Sequence, residues 1–144
     1  MDLSPIVVEQ VVPVGPDAAF TAFTRDLGAW WDPRLTPDPA TYTGVDLDPE
    51  VGGEVAMRHG DERFVWGRVS AWEPGVRYAQ SFTLALDRAH PTSLEVTFAA
   101  EEGGTRVRLT HGGWTAENGH RRGTFGEWGL LLGRYAQHVA GAAG

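Results

Sequence analysis

The chain is expected to fold as one α+β domain spanning residues 1–144, in the order strand, two short helices, six antiparallel strands, one long C-terminal helix. Three observations predict it. Turn-forming pairs cut residues 42–113 into short β-patterned runs. Residues 121–140 carry apolar side chains at helical spacing. Pro16 and Asp17 open a helical stretch early in the chain. Six Trp in 144 residues without a Cys add that the interior is built from broad aromatic side chains, each able to bury about 150–250 Å².

The elements follow in order. Residues 6–14 are β-branched and read as a strand. Gly15-Pro16-Asp17 starts a helix that carries Ala18, Ala19, Phe20, Ala22 and Phe23. A second short helical turn covers 26–31 and stops at Pro33, after which 34–41 read as loop. Strands are expected at 42–48, 53–59, 63–73, 76–86, 92–101 and 104–113. The breaks between them are Gly52-Gly53, Gly60-Asp61, Pro74-Gly75, His90-Pro91 and Gly103-Gly104. Such short connections imply an antiparallel meander. In the last two strands Leu94, Val96 and Phe98 share one face, as do Val107, Leu109 and His111. The final helix presents Phe125, Trp128, Leu132, Tyr135 and Val139 as one apolar stripe, with Gly126, Gly129, Gly133 and Ala136 beside it. Each interior Gly costs roughly 1 kcal/mol against Ala. Close packing on the sheet explains the glycines, and space left for a ligand is the functional alternative. No internal repeat or linker divides the chain.

Composition excludes several functions. The net charge is −7, so nothing supplies the basic footprint that nucleic acid requires. All twelve basic residues are Arg, which removes Schiff-base chemistry. The lack of Cys removes thiol nucleophiles, thiolate metal sites and disulfides, and fits a reducing cytoplasm. Met1-Asp2-Leu3-Ser4-Pro5 has no basic or apolar character of a signal peptide, and no apolar run approaches the ~18 residues of a membrane span. The scattered His show no paired ligand spacing, and Asp46 and Asp48 read as a solvated edge, so neither a metal nor another cofactor is expected. No phosphate loop, dinucleotide fingerprint or nucleophile elbow occurs.

Ordered signals then carry a resemblance: Pro16-Asp17-Ala18-Ala19-Phe20 with Phe23, Trp30-Trp31, Glu50-Val51-Gly52-Gly53, the run Trp66 to Pro74, Gly104-Thr105-Arg106-Val107 with Leu109, and His111-Gly112-Gly113-Trp114. Together they resemble the helix-grip (SRPBCC, START-like) superfamily of lipid-transfer domains, aromatic polyketide cyclases and the birch-pollen-allergen fold. Within it they look most like the branch of the activator of heat-shock-protein-90 ATPase. The resemblance implies a sheet curled around the last helix with a cavity between them.

Trp31, Trp66, Phe82, Phe98, His111, Trp128, Leu132 and Tyr135 are the expected ligand-binding side chains. Trp30 and Trp31 either cap one end of the cavity or plug the small helices onto the sheet. Adjacent aromatics cannot both face inward from a regular helix, so one is expected buried and one partly exposed. His111 should point inward, as ligand partner or general base, or as a core histidine satisfied by backbone or Tyr135; the core role is favoured. Arg68 is expected on the outer, solvated face. The expected function is binding of a small apolar or aromatic ligand. The alternatives are a cyclase-like enzyme using His111, Arg68 and Tyr135, and a chaperone-cofactor-like module with a protein partner.

Overall fold

The computed structural model describes residues 2–84, 86 and 88–143, apart from the side chains of 142 and 143. Strand β1 (Ile6–Val12) leads into helices α1 (Pro16–Thr24) and α2 (Leu27–Trp30). Strands β2 (Tyr42–Leu47), β3 (Glu54–His59), β4 (Glu62–Glu73), β5 (Arg77–Phe82), β6 (Thr92–Glu101) and β7 (Gly104–Gly112) follow, and α3 (Trp128–Ala143) ends the chain. The seven strands form one antiparallel sheet in the order β1-β7-β6-β5-β4-β3-β2. This is the helix-grip fold: a curved sheet wrapped around the C-terminal helix.

Alternation places the core. In β7, Val107, Leu109 and His111 are buried while Arg106 and Arg108 face water. In β6, Leu94, Val96 and Phe98 join them. Helix α1 buries Phe20 and Phe23 against these residues, and α3 buries Trp128, Leu131, Leu132, Tyr135 and Val139. Rings fill the half of the interior under α1 and α2. Phe23 lies 5.0 Å from Trp30, 5.3 Å from Tyr135 and 6.1 Å from both Tyr78 and Phe98, centroid to centroid. Such edge and tilted contacts add about 0.5–1.5 kcal/mol each to the area they bury. Three polar contacts pin α3 over this cluster. Tyr135 donates to the Ala19 carbonyl (2.7 Å), Arg134 to the Trp30 carbonyl (2.9 Å), and the His138 imidazole meets Asp26 at 3.1 Å.

Several boundaries depart from the sequence expectation. β1 ends at Val12, where the chain turns toward α1. β5 ends at Phe82 rather than 86, and residue 85 lies outside the described residues. The last helix starts at Trp128, not 121, because Gly119–Phe125 forms a 3-10 helix. Gly123 and Gly126 weaken α-helix there, and Arg122 is drawn to the Ser4 carbonyl at 2.8 Å, tying the segment to the N-terminus. Pro33–Leu35, at the start of the stretch 34–41 expected as loop, forms a short 3-10 turn. Bulges interrupt the β2–β3, β3–β4 and β4–β5 ladders. The one between β3 and β4 leaves Trp66 without a partner across that ladder, and such bulges bend the strand and redirect side chains.

Candidate functional site

Trp31 forms the inner wall of the site. Helix α2 lasts only four residues: Trp30 is its last residue, and Trp31 is extended (φ −62°, ψ 139°). The change of backbone direction lets both indoles turn inward, so both are 2% exposed. The expected split into one buried and one exposed ring assumed a helix continuing through both. Each indole N–H has a carbonyl partner, Trp30 on Ala22 (3.3 Å) and Trp31 on Leu35 (3.1 Å). The 3-10 turn that supplies Leu35 is capped by Asp32, which accepts from the Arg34 backbone N–H (3.0 Å) and pairs with its guanidinium (2.6 Å). The hydrogen bond from Arg34 holds the Asp32 carboxyl below the usual carboxylate range against its burial.

Beside Trp31 lies a cavity of about 800 Å³, within the size range of small-molecule pockets (roughly 300–1,000 Å³). Trp31, Leu35, Phe64, Leu84, Leu86, Phe125, Trp128 and Leu131 give it a mainly apolar wall. Arg34, Thr36, Thr83, Arg121, Thr124 and Glu127 supply polar groups. Arg34, Arg121, Thr124 and Glu127 are exposed, so the charges sit at the mouth and the apolar wall behind them. The cavity lies at the end of the helix–sheet layer away from α1. The space below α1 and α2 is taken by Phe20, Phe23, Trp30 and Tyr135.

Of the eight side chains expected to line the cavity, Trp31 and Trp128 do so. The other six lie behind its wall. Trp66 is fully buried between Trp31 and Phe82, with ring centroids 5.3 and 5.4 Å away. Its indole N–H has no hydrogen-bond partner among the described residues, a cost of about 1–3 kcal/mol set against roughly 4–6 kcal/mol for burying so large a ring. Phe82 packs on His111 at 4.6 Å. Phe98 belongs to the ring cluster under α1, and Leu132 and Tyr135 face the core from α3. Strand and helix periodicity can point side chains inward but cannot tell wall from filled core. Arg34, Leu35, Phe64, Leu84, Arg121 and Leu131 went unread for the same reason, and because irregular segments carry no periodicity. The β-pattern at Phe64 and the helical spacing of Leu131 were the available signals.

His111 is buried, as its phase with Val107 and Leu109 implied, but its partners are not Tyr135 or backbone. The Trp128 indole N–H donates to Nδ1 at 2.8 Å. Nδ1 is therefore the acceptor and Nε2 carries the hydrogen, which it donates to Thr92 Oγ1 at 2.6 Å. The Thr92 hydroxyl passes its own hydrogen to the Phe82 carbonyl at 3.3 Å. Burial pushes the imidazole pKa down to about 4, so the ring is neutral at pH 7. Both nitrogens are committed, and Phe82, Trp114, Phe125 and Trp128 surround the ring within 5.4 Å. His111 thus joins β7 to the start of α3 and has no free nitrogen for a substrate. Arg68 is exposed on the outer face, bonded to the Gly52 carbonyl (3.2 Å) and Glu54 (3.3 Å).

The three glycines flanking the α3 stripe do not mark close packing: a Cβ at Gly126, Gly129 or Gly133 would meet nothing within 4 Å. Gly126 and Gly129 border a second hollow of about 230 Å³ against Ile6 and Val8, on the far side of Phe125 and Trp128, which line both it and the main cavity.

Sheet, gripped helix and an open cavity at one end define a helix-grip domain with an apolar-walled cleft. The chain belongs to the family described as activator of Hsp90 ATPase homolog 1-like protein, whose profile matches residues 13–140. A search of curated proteins gives no match. Among solved structures the chain is similar to the anthrahydroquino-gamma-pyrone synthase Txn09, with 26% identity and TM-score 0.65 over 94% of this chain and 97% of that one. It is also similar to the Aha1 dimer from Colwellia psychrerythraea (16% identity, TM-score 0.69, 97% and 98% covered). Protein MLL2253 from Mesorhizobium loti matches with 19% identity and TM-score 0.68, 96% of each chain being covered. The last two likenesses are ones of fold.

Proposed function

We propose that the chain binds a small apolar or aromatic molecule in the cavity between the start of α3, the turn after α2 and the β4–β5 end of the sheet. The observation that carries this is the cavity itself: about 800 Å³, walled by Trp31, Phe64, Phe125 and Trp128. Flat aromatic walls favour a planar guest through stacked and edge contacts, and the few polar groups at the mouth would orient it.

A cyclase-like enzyme is the second reading, supported by the 26% identity to a protein named as a synthase. The three groups expected to act in it are engaged elsewhere. His111 has both nitrogens bonded, Arg68 is on the outer face, and the Tyr135 hydroxyl is held by Ala19. Chemistry in this cavity would fall to Arg34, Arg121, Glu127 and the threonines, none of which forms a nucleophile–base pair among the described residues. A protein-interaction role, suggested by the family description, calls for a filled interior and an apolar surface patch; the open cavity weighs for binding.

The test is a titration with 1-aminoanthracene, uncharged at pH 7.5, followed by its own emission and by quenching of the tryptophans. The parent should bind saturably. Thr124→Trp, an exposed position on the cavity wall, should fill the mouth and lower affinity at least about tenfold, equivalent to about 1.4 kcal/mol. Equal binding by both proteins, or no saturable binding by the parent, would remove the cavity as a binding site.

A further inference from the structure

We infer that the molecule this cavity takes is an apolar acid: a planar body carrying one anionic group, a carboxylate or ionised phenol, seated on Arg121 at the mouth. This rests on the binding reading above and adds the charge of the ligand.

Arg121 differs in its surroundings from the other arginines. Most of them lie within ion-pair distance of a carboxylate. Arg134 spends its guanidinium on the Trp30 and Trp31 carbonyls, and Arg88 lies over the Phe64 ring and donates to the Val65 carbonyl. Arg121 has no carboxylate within ion-pair distance among the described residues, yet it forms part of the cavity wall. Its neighbour Arg122 shows the contrast, reaching the other way to Ser4 and Asp2.

The guanidinium is carried on an anchored backbone. The Arg121 N–H donates to the Asn118 carbonyl at 2.9 Å. The Asn118 side chain, itself buried, accepts from the Thr115 N–H (2.8 Å) and donates to the His90 carbonyl (3.1 Å). A guanidinium held beside a low-dielectric wall acts on an anion more strongly than one surrounded by water.

The other charges at the mouth are accounted for. Arg34 is matched by Asp32 at 2.6 Å and is further influenced by Glu127, the one carboxylate among the described residues of the wall. Among the described residues of the wall Arg121 is therefore the cation left for a ligand, in a protein whose overall charge of −7 would otherwise discourage anions. The acidic group must stay at the mouth, because an ionised carboxylate carried to the apolar wall would lack partners. The body of the guest then points inward along Phe125 and Trp128.

The test compares 9-anthracenecarboxylate with 9-anthracenemethanol, close in shape and different in charge, by fluorescence titration at pH 7.5 and low salt. The parent should bind the carboxylate about fivefold more tightly, the factor suited to one partly exposed ion pair. Arg121→Gln should bring the ratio to about one while the alcohol keeps its affinity, and Arg121→Glu should reverse the preference. Arg108→Gln, the same charge change on the outer face of β7, should leave the ratio alone. Equal affinities in the parent, or a ratio that survives Arg121→Gln, would overturn the inference while leaving the cavity a binding site. If neither probe binds saturably, the binding reading fails and takes this inference with it.

Discussion

Protonating His111 should break the bond between β7 and α3, and the cost follows from the geometry. Nδ1 accepts from the Trp128 N–H at 2.8 Å. A proton on Nδ1 sets two donors against each other and places a charge inside a ring of aromatic side chains. Burial depresses the folded-state pKa to about 4 from 6.5. The unfolded chain therefore takes the proton first as pH falls. The stabilisation is fully present above about pH 6.5 and is lost progressively toward pH 4. At about 1.4 kcal/mol per pH unit, the loss between pH 7.5 and 4.5 is about 2–3 kcal/mol. Urea denaturation of the parent and of His111→Gln at both pH values isolates this site, since every other group titrates alike in both. The variant should be less stable at pH 7.5, because the packed ring is lost. The gap should narrow by about 2–3 kcal/mol at pH 4.5. A gap that does not change with pH would refute the buried, Nδ1-accepting imidazole.

Two glycine substitutions test the packing around the site in opposite directions. Gly129→Ala adds a methyl group on an exposed face of α3 with nothing within 4 Å; it should raise stability by roughly 0.4–1 kcal/mol, read from the thermal midpoint, and leave ligand affinity unchanged. Gly28→Ala would place Cβ 2.6 Å from the Val45 backbone nitrogen, where α2 crosses β2. It should destabilise by about 1–3 kcal/mol and, by shifting α2, weaken ligand binding at Trp31; an unaffected melting curve would contradict this contact.

The fold was largely legible in the residues because its signals are local. Alternation in β6 and β7, turn pairs between strands and the Trp128-Leu132-Tyr135-Val139 stripe each act within a few residues, so inward-facing positions could be read one element at a time. The inward direction of His111 followed from the same phase, and the outward direction of Arg68 from Val65 and Val69 competing for the core side of its strand. Other features depended on chain direction changes that no periodicity records. Trp30 and Trp31 both reach the interior because α2 stops between them. Phe125 reaches the cavity from a 3-10 segment rather than from the helix whose spacing it matched.

Sequence alone determined that the two layers must bury their apolar faces together, because an amphipathic helix and an alternating sheet have no other stable arrangement in water. Only the tertiary structure decided which inward side chains fill the interior and which border a void. That distinction depends on the summed volume of rings from α1, α2 and α3 meeting at one end of the sheet. Phe23, Trp30 and Tyr135 close that end, and Trp31 and Trp128 are left facing the space at the other.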